Sequence, residues 1–318
     1  MAIFRCKLIL LLLAAGAAAQ ERYPVDWAKV APETIAHYSA LLRLDTTNPP
    51  GNETRAAKYL QSVLEREGIP AGLFALDPSR ANLVARLKGN GSKQPVLILG
   101  HTDTVGVQRE NWTVDPFAAI RKNGFIYGRG AQDDKDNAAA GLMLMLLLKR
   151  SGVKLDRDVI YLAEAGEEGT TRFGIDFMVS RYWNEISAEF ALAEGGAAVS
   201  RNGQVRYVQI TAAEKVPRQA RLVARGTAGH GSRPAPDNPV LHLATAVAKF
   251  NAWQPPLRLN EITRTYFERL ARVSPPLEAA RYRAILDPAR AAEADRYFFR
   301  NEPGHYTLLR TSITPTVI

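Results

Sequence analysis

Apolar residues return at helical spacing over residues 27–43, where Val30, Ile35, Tyr38, Leu41 and Leu42 fall on one face. That 3.6-residue period predicts an amphipathic helix. A second follows with Ala57, Leu60, Val63 and Leu64 and stops at Gly68, a residue that commonly ends helices. The turn-forming stretch Thr46-Thr47-Asn48-Pro49-Pro50-Gly51-Asn52-Glu53 separates the two. Apolar runs at residues 82–87, 96–99, 159–163 and 190–193 predict strands. A strongly apolar helix is predicted over 137–149 and another helix over 175–182. Strands alternating with helices indicate an α/β layer architecture. From about residue 209 the texture changes to alternating, strand-like runs, notably 220–224. A Pro-rich segment (233–239) and a helix over 240–251 follow. The end of the chain, 314–318, reads as a further strand. These changes place a domain boundary near Ala212, with no internal repeat on either side.

The first twenty residues have a different character. Arg5 and Lys7 precede an apolar run from Leu8 to Ala15, and Ala17-Ala18-Ala19 closes it. A basic start, a short apolar core and a small-residue site predict a secretory signal peptide, residues 1–19, and hence an exported protein. The apolar core is short for a bilayer span, so no stable membrane insertion is expected after cleavage. Cys6, the sole cysteine, lies in this leader, which leaves the exported chain cysteine-free.

Composition narrows the class without choosing a function. The 318 residues are 46% hydrophobic and 23% charged, which excludes a disordered tail, a collagen-like fibre and a disulfide miniprotein. The net charge of +9 is spread along the chain. No basic stripe is interleaved with aromatics, so nucleic acid is not an expected partner.

Candidate chemistry lies in four clusters that each follow a predicted strand. His101 and Asp103 flank Thr102, and alternate residues of an extended segment project to the same side. A neutral imidazole is a good zinc ligand, and a carboxylate beside it can orient the ring. Taken singly, this pair fits a loop histidine beside a solvated aspartate better than a metal site. Gly128-Arg129-Gly130-Ala131-Gln132-Asp133-Asp134-Lys135 leads into the predicted helix at Asn137. Its adjacent carboxylates suit a divalent cation, or one of them a helix cap, whereas no phosphate-loop pattern is present. Glu164-Ala165-Gly166-Glu167-Glu168-Gly169 brackets two glutamates with glycines, and Glu194-Gly195-Gly196 ends another apolar run. Ligands in open α/β sheets bind outside the carboxyl ends of the strands. One histidine and several carboxylates gathered there suit a pair of divalent cations bridged by one acid.

In this order the four clusters, with the loop Thr47-Asn48-Pro49-Pro50-Gly51-Asn52-Glu53, resemble the M20 family of dinuclear zinc peptidases and amidohydrolases. Glu at position 194 points to the branch that holds carboxypeptidase S and the N-acyl-amino-acid hydrolases. The resemblance implies an α/β, phosphorylase/hydrolase-like zinc-peptidase catalytic domain (residues 20–211) with an inserted, smaller α+β lid or dimerisation domain (212–318). It also implies two Zn2+ ions per subunit. His101 and Glu194 would hold one, Glu168 the other, and Asp133 would bridge both. Asp103 would support His101, and Glu167 would be the general base. Gly229-His230-Gly231-Ser232-Arg233-Pro234 resembles the lid motif, whose histidine helps to hold the oxyanion, often in a partner subunit's site. His37, His242 and His305 read as surface or packing residues.

The family's catalytic domain resumes after the lid and brings one more zinc-binding histidine, so the resemblance implies that this chain is C-terminally truncated. The expected partner is a peptide or N-acyl-amino-acid substrate, with a homodimer through the lid. The alternative is an inactive chain serving as a binding or dimerisation module.

Overall fold

The computed structural model describes residues 23–316; the expected signal peptide lies outside these, as do Val317 and Ile318. The chain divides into two units, the first ending at Glu194 and the second beginning at Gly195. The boundary inferred near Ala212 falls within the second.

In the first unit, α1 (Trp27–Leu42) and α2 (Thr54–Arg66) lead into β1 (Ala71–Ala75), β2 (Ala81–Leu87) and β3 (Val96–His101). A hairpin of β4 (Ile120–Lys122) and β5 (Phe125–Tyr127) precedes α3 (Lys135–Arg150). Then come β6 (Val159–Glu164), α4 (Ile175–Arg181), α5 (Trp183–Ile186) and β7 (Phe190–Leu192). Five strands form one mixed sheet in the order β1-β2-β6-β3-β7. The β1–β2 and β2–β6 pairs are antiparallel; β6–β3 and β3–β7 are parallel.

Side chains alternate across a strand, and here both faces are covered. Leu83, Ala85, Val159, Tyr161 and Ala163 join the apolar sides of α1, α2 and α3 in the main core. The intervening Val84, Ile160 and Leu162, with Leu97, pack with Phe177 and Met178 of α4 and with Ile186 of α5. A strand buried on both faces reads as an unbroken apolar run, which is why residues 159–163 were legible as one.

The second unit opens with the hairpin β8 (Ala197–Arg201) and β9 (Gln204–Gln209) and continues with α6 (Pro239–Ala252). The strand expected at 220–224 is absent: residues 210–230 have no regular secondary structure. A strand needs a neighbour to satisfy its backbone groups, and among the described residues none pairs with this segment. Val223 stands 65% exposed. Residues 311–316 are likewise irregular rather than a strand.

Between them lie α7 (Glu261–Val273), α8 (Pro276–Ala284), α9 (Ala291–Asn301) and α10 (Pro303–Leu308), none of them among the helices predicted above. They enclose their own core around Phe267, Leu270, Tyr282, Phe298 and Leu309. Asn260 and Thr263 form a reciprocal capping box at the start of α7. Pro276 and Pro303 open α8 and α10, where the missing N–H costs nothing. Among the described residues no helix is long and apolar enough to cross a membrane.

Candidate metal centre

The parallel strands β3, β6 and β7 run the same way, so their carboxyl ends share one rim of the sheet. His101 ends β3 and is paired in register with Glu164, which ends β6. Glu167 and Glu168 follow in the turn beyond β6, and Glu194 lies two residues past the end of β7. Asp133 arrives from the loop before α3, a helix packed against β3. The peptide between Asp133 and Asp134 is cis.

His101 sits at the floor of this rim, 2% exposed. Its Nε2 is 2.9 Å from Asp133 Oδ1, 3.8 Å from Glu194 Oε2 and 3.9 Å from Glu167 Oε2. The side chains of Asp133, Glu167 and Glu194 are 62%, 42% and 41% exposed, so a buried nitrogen is ringed by carboxylates open to solvent. One donor atom from each of His101, Asp133 and Glu194 lies within 4.8 Å of the others. Two ligands of one zinc, each about 2.1 Å from it, stand roughly 3–4 Å apart. The donor set, one imidazole and carboxylate oxygens, is one that zinc accepts.

Asp103 organises the site from beneath. It is fully buried, and Oδ1 lies 3.4 Å from His101 Nδ1. The backbone N–H of Glu167 donates to Oδ1 (3.0 Å) and that of Glu168 to Oδ2 (3.1 Å). Asn48 Nδ2 also donates to Oδ2, at 2.9 Å. Asn48 is brought there because the segment before α2 runs beside β3's extension: Asn48 N donates to Thr104 O, and Thr104 N to Thr46 O. His101 Nδ1 lies 3.2 Å from the Asp103 carbonyl oxygen as well as beside its carboxylate, so this one residue fixes the imidazole, the turn carrying both glutamates and the Asn48 loop.

The crowding of acids moves several protonation equilibria. Burial disfavours charge on His101, but the Asp103 contact and the surrounding carboxylates overcome it and raise the imidazole to about 10. Burial, with neighbouring carboxylates, also raises Glu167 and Glu168 above the usual carboxylate range. Burial brings Asp134 up to about 6; its Oδ2 accepts the backbone N–H of His101 at 3.0 Å. Glu164, buried behind the rim, is pushed by desolvation to about 7. Lys135 is fully buried and donates to the carbonyls of Leu41 (3.1 Å), in the last turn of α1, and Leu44 (2.6 Å), just past it. Burial pulls its ammonium down to about 8, against the pull of Asp45 and Asp103.

Of the residues singled out in the sequence, His101, Asp133 and Glu194 converge within one ligand-sized space, with Glu167 beside them and Asp103 below. Glu168 shares the Glu167 turn but is outside that three-residue group. His230 belongs to the second unit, where it is exposed and its Nδ1 lies 2.8 Å from Ser232 Oγ. Asn48, Asp134 and Lys135 sit inside quoted motifs, yet their parts emerge only from tertiary contacts.

The family model described as Peptidase family M20/M25/M40 matches residues 97–303. Aminoacylase-1 of Sus scrofa is 30% identical over 203 residues, 63% of this chain and 49% of that protein. The N-formyl-4-amino-5-aminomethyl-2-methylpyrimidine deformylase of Halalkalibacterium halodurans is 33% identical over 140 residues, 43% of this chain and 33% of that one. Among solved structures, the M20 family metallo-carboxypeptidase Sso-CP2 from Sulfolobus solfataricus aligns with a TM-score of 0.46 at 25% identity, covering 51% of this chain and 37% of that one. The chain spans half or less of the length of these relatives. With the family model matched over well over half its residues, the chain belongs to peptidase family M20/M25/M40.

Proposed function

We propose that this protein is a metal-dependent hydrolase that cleaves the amide bond of a peptide or an N-acyl amino acid with water, using two zinc ions. The observation that carries this reading is the convergence of His101, Asp133 and Glu194 on one ligand-sized space with the Glu167 carboxylate 3.9 Å from the same nitrogen. Aminoacylase-1 among the similar proteins agrees with the substrate class.

In this proposal His101 and Glu194 would hold one ion, Glu168 the other, and Asp133 would be a ligand of both. When bound, the ions lower the pKa of water and polarise the substrate carbonyl. Asp103 holds the imidazole of His101 in orientation through Nδ1. Glu167, raised above an ordinary carboxylate, takes a proton from the attacking water and returns it to the leaving nitrogen as the C–N bond breaks. His230 is assigned, by resemblance, to hydrogen-bond the developing oxyanion. Export through residues 1–19, a boundary near Ala212 and dimerisation through the second unit belong to the same proposal.

The test is metal content by mass spectrometry, together with hydrolysis of a panel of N-acyl amino acids and dipeptides, for this chain and for Glu167→Gln. Bound zinc in both, with hydrolysis only in the unsubstituted protein, supports the proposal. Full hydrolysis by Glu167→Gln removes the general-base role. Absence of both metal and hydrolysis would favour a binding module.

A further inference from the structure

We infer that the buried ion pair between Glu53 and Arg80 is a positioning device for the turn that carries Glu167 and Glu168. The inference rests on the functional reading above and extends it to two residues outside the acidic rim.

Glu53 is fully buried and Arg80 is 5% exposed. Arg80 Nε lies 2.9 and 3.1 Å from the two Glu53 oxygens, and Nη2 is 2.5 Å from Oε1. Such a fork-to-carboxylate pairing fixes orientation as well as charge. What the pair touches gives it a role beyond stability.

On one side it packs against the loop that supplies Asn48. Asn52 N donates to Glu53 Oε2 at 3.0 Å. At Gly51 a Cβ would lie 2.3 Å from Arg80 Nε and 2.6 Å from Glu53 Oε2, and φ is +105°. On the other side it packs against the glutamate turn. Arg80 Nη2 would be 3.2 Å from a Cβ at Gly166, whose φ is +77°. The guanidinium carbon lies 4.4 Å from the centre of the Phe173 ring, just beyond that turn. Both glycines are where the guanidinium–carboxylate plane needs room and the backbone needs a left-handed conformation.

The two loops meet again at Asp103, which accepts from Asn48 on one and from Glu167 N and Glu168 N on the other. They also touch directly, since a Cβ at Gly169 would be 2.8 Å from Asn48 Nδ2. The turn is thus held at two points: Asp103 takes its N–H groups, and the Glu53–Arg80 plane supports its start. Without the second support, the carboxylates of Glu167 and Glu168 would lose their fixed distance from His101.

The test pairs Glu53→Gln with Arg80→Met, so that neither charge is left buried alone. Hydrogen exchange at individual amides is read on the metal-free chain, and Co2+ binding is titrated by its visible absorption. We expect exchange at the Glu167 and Glu168 amides to quicken about tenfold or more, with Ile160 and Leu162 of β6 unchanged. Cobalt affinity should fall by about tenfold or more, in the range seen when groups behind metal ligands are removed. Unchanged exchange at Glu167 and Glu168 overturns the inference, as does quickened exchange with unaltered cobalt affinity. If the double variant does not fold, Arg80→Lys is read in the same two ways; it keeps the charge but loses the fork. If the unsubstituted chain binds no cobalt, the proposed function fails, and the exchange comparison alone still decides the positioning role.

Discussion

Asn48 donates a hydrogen bond to Asp103 across 55 positions of sequence, from the loop before α2 to the segment just past β3. The contact makes Asp103 a shared acceptor, because Glu167 N and Glu168 N converge on the same carboxylate. Asp103→Asn keeps the shape but turns one acceptor into a donor facing donors. We expect a loss of about 2–4 kcal/mol in stability, since buried donors are left unmet, and metal affinity weakened by roughly 10–100-fold. Urea unfolding and zinc titration measure the two effects. Stability and affinity both within error of the unsubstituted protein would remove Asp103 from its organising role.

In the proposed scheme Glu167 is the general base and not a metal ligand. Glu167→Gln should therefore keep its metal while the hydrolysis rate falls by about 10²–10⁴, the range for a lost acid–base group. Steady-state kinetics beside metal analysis separates the two. Loss of metal in step with activity would recast Glu167 as a ligand.

Metal binding should be steeply pH-dependent. The metal-free His101 titrates at about 10, above its ordinary value, and only the neutral ring binds a cation. Imidazolium therefore stabilises the metal-free fold fully below about 6.5, and that contribution is lost as pH rises through about 10. Zinc affinity should climb over the same interval, about tenfold per pH unit where one proton is displaced. Calorimetry in buffers of different ionisation enthalpy counts that proton, and finding none released at pH 8 would refute the assignment.

In the second unit, Phe298 is fully buried and stacks on Phe267 with ring centres 5.7 Å apart and planes 12° apart. Phe298→Ala should cost about 3–5 kcal/mol, the range for emptying an aromatic site in a packed core. Thermal unfolding followed by near-ultraviolet circular dichroism reads this. A change below about 1 kcal/mol would mean the helical core is far looser than its burial indicates.

The centre of the α/β sheet was legible because β2 and β6 are buried on both faces, so a run such as 159–163 carries no polar interruption. His101 and the glutamates were legible because each cluster follows an apolar run, whereas Asp133, in the loop before α3, was legible through the adjacent carboxylate and the flanking glycines. The organising contacts were not, since Asn48, Arg80 and Lys135 reach partners distant in sequence that only the tertiary fold brings beside them. In the second unit, α7 and α9 are amphipathic, with Phe267, Leu270 and Ala271 on one buried face and Ala294 and Phe298 on another. Their helical period was therefore present in the sequence beside local signals: Asn260 with Thr263, and the prolines at 276 and 303. Residues 220–224 show the opposite failure. Their alternation is a preference for a strand, and a preference without a neighbouring strand yields none.

The pairing of His101 with Glu164 at the ends of parallel strands also limits how this sequence can change. Removing one residue from β3 would turn the imidazole to the opposite face of the sheet. Removing two would restore the face but draw the ring back by about 6–7 Å, more than the 4.8 Å that contains the three converging donors. The strand works as a ruler with a single acceptable length, whereas the exposed stretch after Val105 can gain or lose residues without moving that mark.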